Sequence, residues 1–363
     1  MPEISIVLPT YNGEKFIKKS IDSILDQTYQ DWELIIVNDC SSDHTLQIAR
    51  EYEARDKRIR VISNPINKKL PESLNVGFRE AKGRYLTWTS DDNLYLPEAL
   101  KEMHDYLEYH RDSIMVCASI CFIDENDQKT GLTISYDPHF IYVSDSVGAC
   151  FMYRHEVISE VGEYDTSMFC VEDYDYWIRI LEHYGKIDYI NRVLYLYRDQ
   201  KESLTATKSD TVRKQRLNLR KKYFDFLIDS LKNHNDSILP LLTGMLSDGD
   251  AEFDAVKNQL LSYSKEILPI VKIPEEGNLI IYGAGNIKRA AIKKYGSRIK
   301  YFADGNPLKT GRYLEGVKII SSDELDQYLK ENHLVIAVGA EKMPEVMKIF
   351  RDRRINEYSV FAG

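Results

Sequence analysis

Two pairs of adjacent acids stand out in this chain, Asp91-Asp92 and Glu172-Asp173. The first follows an apolar run at 85–88, and Pro97 then opens the next helix. Adjacent carboxylates repel, and neither is wanted there for packing. A divalent cation would relieve the repulsion, and magnesium or manganese favours carboxylate, water and phosphate oxygens. The plainer reading is an Asx turn capping the helix at Pro97. The second pair begins an amphipathic stretch in which Trp177, Ile178 and Leu181 turn inward. Free N–H groups and the helix dipole favour an anion at that rim and are expected to hold its pKa low and keep it ionised. A carboxylate so placed is either a helix cap or a general base. Two further loops carry polar groups, Pro9-Thr10-Tyr11-Asn12 and Asn38-Asp39-Cys40-Ser41-Ser42-Asp43. Asp39 could accept the N–H of a pyrimidine, Tyr11 could stack on it, and Thr10 could add polar contacts. Singly each is an ordinary loop; converging, the three look like a nucleotide site.

Convergence requires a scaffold. Short apolar runs at 4–8, 34–37, 60–62 and 85–88 alternate with helical patterns at 14–25, 45–55 and 71–81. That rhythm predicts a mostly parallel sheet covered by helices, with ligands beyond the carboxyl ends of its strands. Ser41, Ser42 and Asp43 can accept the free N–H groups of the helix at 45–55. From about 111 to 200 the strands (115–120, 147–153, 193–197) lose the rhythm, which predicts a mixed sheet closing over the first half. Residues 206–272 read as a helical connector. Leu219, Tyr223, Leu227 and Leu231 recur at helical spacing beside a basic run at 213–222. That run could meet a lipid-linked acceptor or a membrane surface; a solvated helix face is the plainer reading.

After a linker bracketed by Pro269 and Pro274, a second α/β unit is expected over 273–363, with strands at 279–282, 299–303 and 334–338. Gly283-Ala284-Gly285-Asn286-Ile287-Lys288 follows its first strand and opens a helix, with Asp304 some way beyond. This is the context of a dinucleotide fingerprint, although Lys288 replaces the third glycine. Gly283, Gly285 and Asp304 are therefore candidates for nucleotide binding, against a structural or docking role. Ser321-Ser322-Asp323-Glu324 fits a capping box.

Composition narrows the classes. Forty-eight basic against 57 acidic side chains give a net charge of -9, which argues against a nucleic-acid partner. Five scattered cysteines without a CxxC pair read as reduced thiols in a cytoplasmic protein. No apolar run reaches membrane-spanning length, so any membrane association is expected to be peripheral, at the inner face. Oligomeric state is not legible.

The residues also carry a resemblance. Pro9-Thr10-Tyr11-Asn12, Val37 to Thr45, Asn75 ahead of Ala81-Lys82-Gly83-Arg84-Tyr85, and Ser90-Asp91-Asp92 resemble, in order and spacing, the inverting glycosyltransferases of family 2. The helix segment from Ser20 to Tyr29 matches as well, and the likeness covers roughly 1–205. It implies a GT-A fold, a Rossmann-like nucleotide-diphospho-sugar transferase domain. It also implies a nucleotide-sugar donor, a glycan or lipid-linked acceptor, and a manganese or magnesium cofactor held by the aspartate motif. Pro9, Thr10, Tyr11, Asn12, Asp39, Asn75, Asp91 and Arg198 would bind the donor. Asp92, with Asp91, would hold the metal, and Asp173 would be the base with Glu172 as alternative or orienting neighbour. Lys68 or Lys69 could face the donor. Gln200 stands where the family often has histidine. The C-terminal unit resembles small Rossmann-like units appended to bacterial sugar-modifying enzymes. Two alternatives remain open at this point: a non-catalytic nucleotide-sugar-binding module, or an NAD-linked oxidoreductase centred on Gly283.

Overall fold

A computed structural model describes residues 1–134, 141, 145–200, 207–231, 273–283, 288–338, 342–355 and 357–361. The chain groups into two compact units, one from 1–141 and 145–219, the other mainly from 220 onward. In the first, β1 (Ile4–Thr10), α1 (Ile17–Leu25), β2 (Trp32–Asn38), α2 (Thr45–Arg55), β3 (Ile59–Ser63), α3 (Lys69–Arg79) and β4 (Tyr85–Trp88) alternate as the periodicity predicts. There follow β5 (Leu94–Tyr95), α4 (Ala99–Tyr109), β6 (Met115–Ile123), β7 (Lys129–Ile134) and β8 (Phe151–Arg154). Then come α5 (Glu156–Val161), α6 (Glu172–Tyr184), β9 (Asp188–Arg198) and α7 (Ser209–Lys222). Helix α8 (Phe224–Leu231) begins beyond the boundary, and the rest of the expected connector lies outside the described residues.

The sheet runs β3-β2-β1-β4-β8-β6-β9-β5, with β7 paired to β6. Strands β3, β2, β1 and β4 are parallel. The second half joins antiparallel through β8, so it extends the same sheet from the β4 side. Every residue of β1 is buried, as a parallel strand covered on both faces should be. Ile17, Ile21 and Ile24 of α1 and Leu34 and Ile36 of β2 are fully buried in one cluster, each contributing about 1.5–3 kcal/mol by leaving water.

Pro9 sits inside β1 opposite Val37. The Val7 carbonyl bonds toward β4 and the Thr10 carbonyl toward β2. The N–H that Pro9 lacks would face the β4 side, where pairing has already ended at Trp88, so the proline costs no ladder bond. This explains why β1 continues to Thr10 beyond its apolar run.

The second unit contains β10 (Asn278–Tyr282), α9 (Lys288–Tyr295), β11 (Ile299–Asp304), β12 (Tyr313–Leu314), β13 (Val317–Ser321), α10 (Leu325–Tyr328), β14 (Asn332–Ile336), α11 (Met343–Asp352) and β15 (Ser359–Val360). Its sheet order is β12-β13-β11-β10-β14-β15, parallel except at β12. The strand order reverses beside β10, as in Rossmann-like folds. The capping box at Ser321 and Glu324 forms, on a 3₁₀ turn ahead of α10.

Candidate active site

Register places the polar loops together. Thr10 pairs with Asn38 at the ends of β1 and β2, and Trp88 of β4 aligns with Val7. Asp39 is buried (3% exposed). Its Oδ1 accepts from Asn64 Nδ2 at 2.9 Å and the Lys68 N–H at 2.8 Å, and its Oδ2 accepts the Lys69 N–H at 2.8 Å. A carboxylate offers about four lone-pair directions, so one on Oδ2 stays open for a base N–H. Tyr11 stands 54% exposed beside it, free to stack. Asn12 ties the two loops together: its N–H donates to Ser41 Oγ (3.0 Å) and its Oδ1 accepts from the Ser42 N–H (2.8 Å). Asp43 Oδ1 accepts the Thr45 N–H at 3.0 Å, the capping expected for α2. Asn12, Cys40 and Lys69 all adopt positive φ (54°, 63° and 68°). Such backbone persists only where surroundings impose it, and it clusters at ligand sites.

Thr10 Oγ1 and the Tyr11 N–H donate to the Asp91 carboxyl. Burial, and then the Asp92 charge, push the Asp91 pKa up to about 7. A Cβ at position 13 would collide with this carboxyl and with Thr10 Oγ1, so Gly13 is part of the site. Sequence reasoning missed it, although it directly follows the Pro9-to-Asn12 motif. Asp92 Oδ1 accepts from Ser90 Oγ (2.7 Å) and Oδ2 from Gln200 Nε2 (2.5 Å). Besides burial, the Asp92 charge raises the Asp91 pKa, so the two carboxylates repel; they offer oxygen donors of the kind that suits magnesium or manganese, and such an ion would relieve that repulsion.

Two expected donor contacts are differently employed. Arg198 is 1% exposed. Its Nε donates to the Asp92 carbonyl (2.8 Å), one terminal nitrogen donates to the Asp124 carbonyl (2.7 Å), and the other pairs with Asp127 (2.6 Å). The guanidinium is therefore spent on holding the aspartate loop and not presented to a diphosphate. Asn75 is buried, and its amide bonds both the carbonyl (2.9 Å) and the N–H (2.8 Å) of Tyr164, stapling α3 to the loop before α6. Both act as positioning groups. Pro9 is buried within β1 and likewise supports the loop.

At the start of α6, Cys170 has φ +76° and Glu172 is 3% exposed. The N–H groups of Cys170 and Val171 bond the Glu172 carboxylate, yet burial still raises its pKa to about 7, and its Oε2 has no hydrogen-bond partner. Asp173 Oδ1 accepts its own helix's Tyr174 N–H at 2.7 Å. Burial, with the charges of Asp145 and Glu172, pushes the Asp173 pKa well above its ordinary value. This corrects the expectation of a pKa held low: desolvation and two neighbouring acids outweigh the helix dipole. Asp145 had no sequence signal, lying in an irregular stretch. The Tyr197 hydroxyl feels the charges of Asp92, Asp173 and Asp145 together.

Elsewhere, Glu3, His104 and Glu108 bring ligand atoms within 4.8 Å of one another. Arg84 already neutralises the two glutamates (3.1 and 2.7 Å). In the second unit, Gly283 has φ +111°, and a Cβ there would collide with the Ala337 carbonyl. Asp304 pairs with Lys309 at 2.8 Å and accepts the Asn306 N–H at 2.9 Å, so its carboxylate is engaged locally. Gly285 lies outside the described residues. Among the described residues no helix is long and apolar enough to cross a membrane.

The family profile Glycosyl transferase family 2 matches residues 5–162, and CoA binding domain matches 274–362. An uncharacterized glycosyltransferase of Methanocaldococcus jannaschii is 32% identical over 209 residues, 54% of this chain and 71% of that protein. The putative glycosyltransferase EpsE of Bacillus subtilis is 30% identical over 208 residues, 56% of this chain and 75% of its own. The crystal structure of Staphylococcus aureus TarS 1–349 with UDP-GlcNAc superposes with TM-score 0.53 at 18% identity, covering 74% of this chain and 77% of that one. The chain spans 44% of the longer TarS structure. A Pyrobaculum calidifontis mannosyltransferase with GDP-Man and Mn2+ gives TM-score 0.51 at 16% identity, covering 73% and 81%. These likenesses show the GT-A fold.

Proposed function

The chain belongs to glycosyl transferase family 2 and is a glycosyltransferase with an appended Rossmann-like domain, and we propose that it transfers a sugar with inversion, in a metal-dependent reaction, from a nucleotide sugar to a glycan or lipid-linked hydroxyl. The donor is a UDP-sugar on this reading, and the product part of a surface polysaccharide or glycoconjugate. The observation that carries it is the convergence at the ends of β1, β2 and β4, where Thr10 donates to Asp91 and Asp39 is held by the Lys68 and Lys69 N–H groups. A single displacement needs an acid on the donor side and a base on the acceptor side, and the two acid pairs supply both on this reading.

Asp39, Tyr11 and Thr10 bind and orient the nucleotide. Asp92 and Asp91 would hold manganese or magnesium, which when bound offsets charge on the departing diphosphate. Asp173 takes the proton of the acceptor hydroxyl as its oxygen bonds the anomeric carbon, and the bond to the diphosphate breaks with its electron pair. The acid trio must give up a proton first, so the rate should fall as pH drops below the range where Asp173 ionises. The complex of a neighbouring structure with UDP-GlcNAc supports the choice of donor class. A thermal shift tests the reading: UDP with manganese at 100 times its Kd should add about 2.7 kcal/mol of stability, with NAD giving none. Stabilisation by NAD and not by UDP would favour the oxidoreductase alternative.

A further inference from the structure

The segment that joins α5 to α6 is clamped from two sides. Along α3, Arg79 Nε donates to Glu163 Oε1 at 2.6 Å, the Asn75 amide bonds both backbone groups of Tyr164, and the Lys69 ammonium stands 5.0 Å from the centre of the Phe169 ring. From α6, Arg179 donates to the Val161 and Glu163 carbonyls, each at 2.9 Å. Glu172 follows Phe169 by three residues and opens α6.

Tyr164 is where the clamp closes. It is 3% exposed, and its hydroxyl accepts from Trp88 Nε1 at 3.1 Å. Its ring lies nearly parallel to those of Phe78 (centroids 5.9 Å apart, 12°) and Tyr176 (4.2 Å, 14°). Each partner belongs to an element that carries or holds an acid of the site. Trp88 ends β4, three residues before Asp91. Phe78 lies on α3, at whose start the Lys68 and Lys69 N–H groups hold Asp39. Tyr176 lies one turn into α6, on the same face as Glu172. A close-packed interior leaves a ring held in this way little room to shift.

We propose that Tyr164 is a positioning residue of this glycosyltransferase: by touching β4, α3 and α6 at once, it fixes the acids that open α6 relative to Asp91, Asp92 and Asp39. This rests on the reading that α6 supplies the base and the sheet edge binds the donor. The role needs no contact with either substrate. A misplacement of about 1 Å can cost about 10²-fold in rate. Loosening this ring should therefore slow the chemistry and spare donor binding.

Two measurements on the full chain test this. In crystals, Tyr164→Leu should change the separation of the Asp92 and Asp173 Cα atoms by about 1 Å relative to the parent. In solution, manganese-dependent UDP release is followed with the UDP-sugar that the parent hydrolyses fastest from a panel. Rates are expressed per UDP-binding molecule, counted by calorimetry, so that unfolded protein does not enter. Tyr164→Leu should lower kcat about 10–100-fold, with KM and UDP affinity within about two-fold of the parent. Tyr164→Phe loses only the Trp88 bond and should recover most of that loss. Asn75→Asp keeps an acceptor for the Tyr164 N–H and loses the donor to its carbonyl. It should lower kcat in the same sense, and it carries the test should Tyr164→Leu fold poorly. An unchanged separation, an unchanged kcat, or a kcat that falls only in step with UDP affinity would overturn the inference. The base reading is tested apart from this: Asp173→Asn and Glu172→Gln both hydrolysing at the parental rate would remove it, whatever Tyr164 does to the separation.

Discussion

The proposed donor edge and the proposed base corner of the transferase unit are built on opposite plans. At the donor edge each buried acceptor already has protein partners: Asp39 takes three donors, and Asn12 binds both loops into one piece. At the base corner Asp145, Glu172 and Asp173 crowd together, one Glu172 oxygen is unpartnered, and pKa values rise. A recognition surface gains from being preorganised before ligand arrives. A proton acceptor gains from an environment that shifts its pKa toward working pH. On the proposed reading, satisfied polar groups serve binding and crowded ones serve chemistry.

The comparison can be broken by substitution. The largest effect should come from Asp173→Asn, which removes the base: transfer should fall by about 10²–10⁴-fold, with UDP affinity by calorimetry nearly unchanged. Asp92→Asn should come next, with transfer down about 10²-fold or more and the metal requirement weakened, as read by manganese titration. If the Asp92 variant kept its manganese dependence, the oxygen donor set would lie elsewhere. Asp39→Ala should act on both recognition and stability. It strands the Lys68 and Lys69 N–H groups at the start of α3, so unfolding free energy should drop by about 1–3 kcal/mol and UDP affinity should drop with it.

The smallest effect sharpens the contrast through pH. The folded pKa of Glu172 is raised to about 7. The native state therefore binds more protons than the unfolded chain between the usual glutamate value and 7, and stability falls as pH rises through that window. Glu172→Gln should be more stable than the parent above pH 7, by about 1–3 kcal/mol. The difference should fade as pH drops toward the unfolded value, as denaturant titrations at several pH values would show. A difference that grew on acidification would reverse the sign assigned to this group.

Much of the scaffold was legible in the sequence because it rests on period and punctuation. Residues 45–55 and 85–88 were predicted with the boundaries now seen in α2 and β4. The start of β9 at Asp188 escaped because its first half is largely exposed and lacks an apolar run. The convergence of polar loops was legible where motif and strand end coincide, at Thr10, Asp39 and Asp91-Asp92, which the register brings to one edge of the sheet. The resemblance implied donor contacts at Arg198 and Asn75, and the structure gives these side chains the partners Asp92, Asp124, Asp127 and Tyr164. Burial decides such cases, and a sequence does not display it. Asp145 was invisible for a related reason: its charge acts on Glu172 and Asp173 from a distant stretch of chain, which no periodicity encodes.

The most direct measurement is a crystal structure of the full chain with manganese and an unhydrolysable UDP-sugar. The diphosphate should lie against Asp92 with the uracil between Tyr11 and Asp39, and the anomeric carbon should face the carboxyl of Asp173. A diphosphate bound away from Asp92, or an Asp173 carboxyl turned from the sugar, would contradict the account.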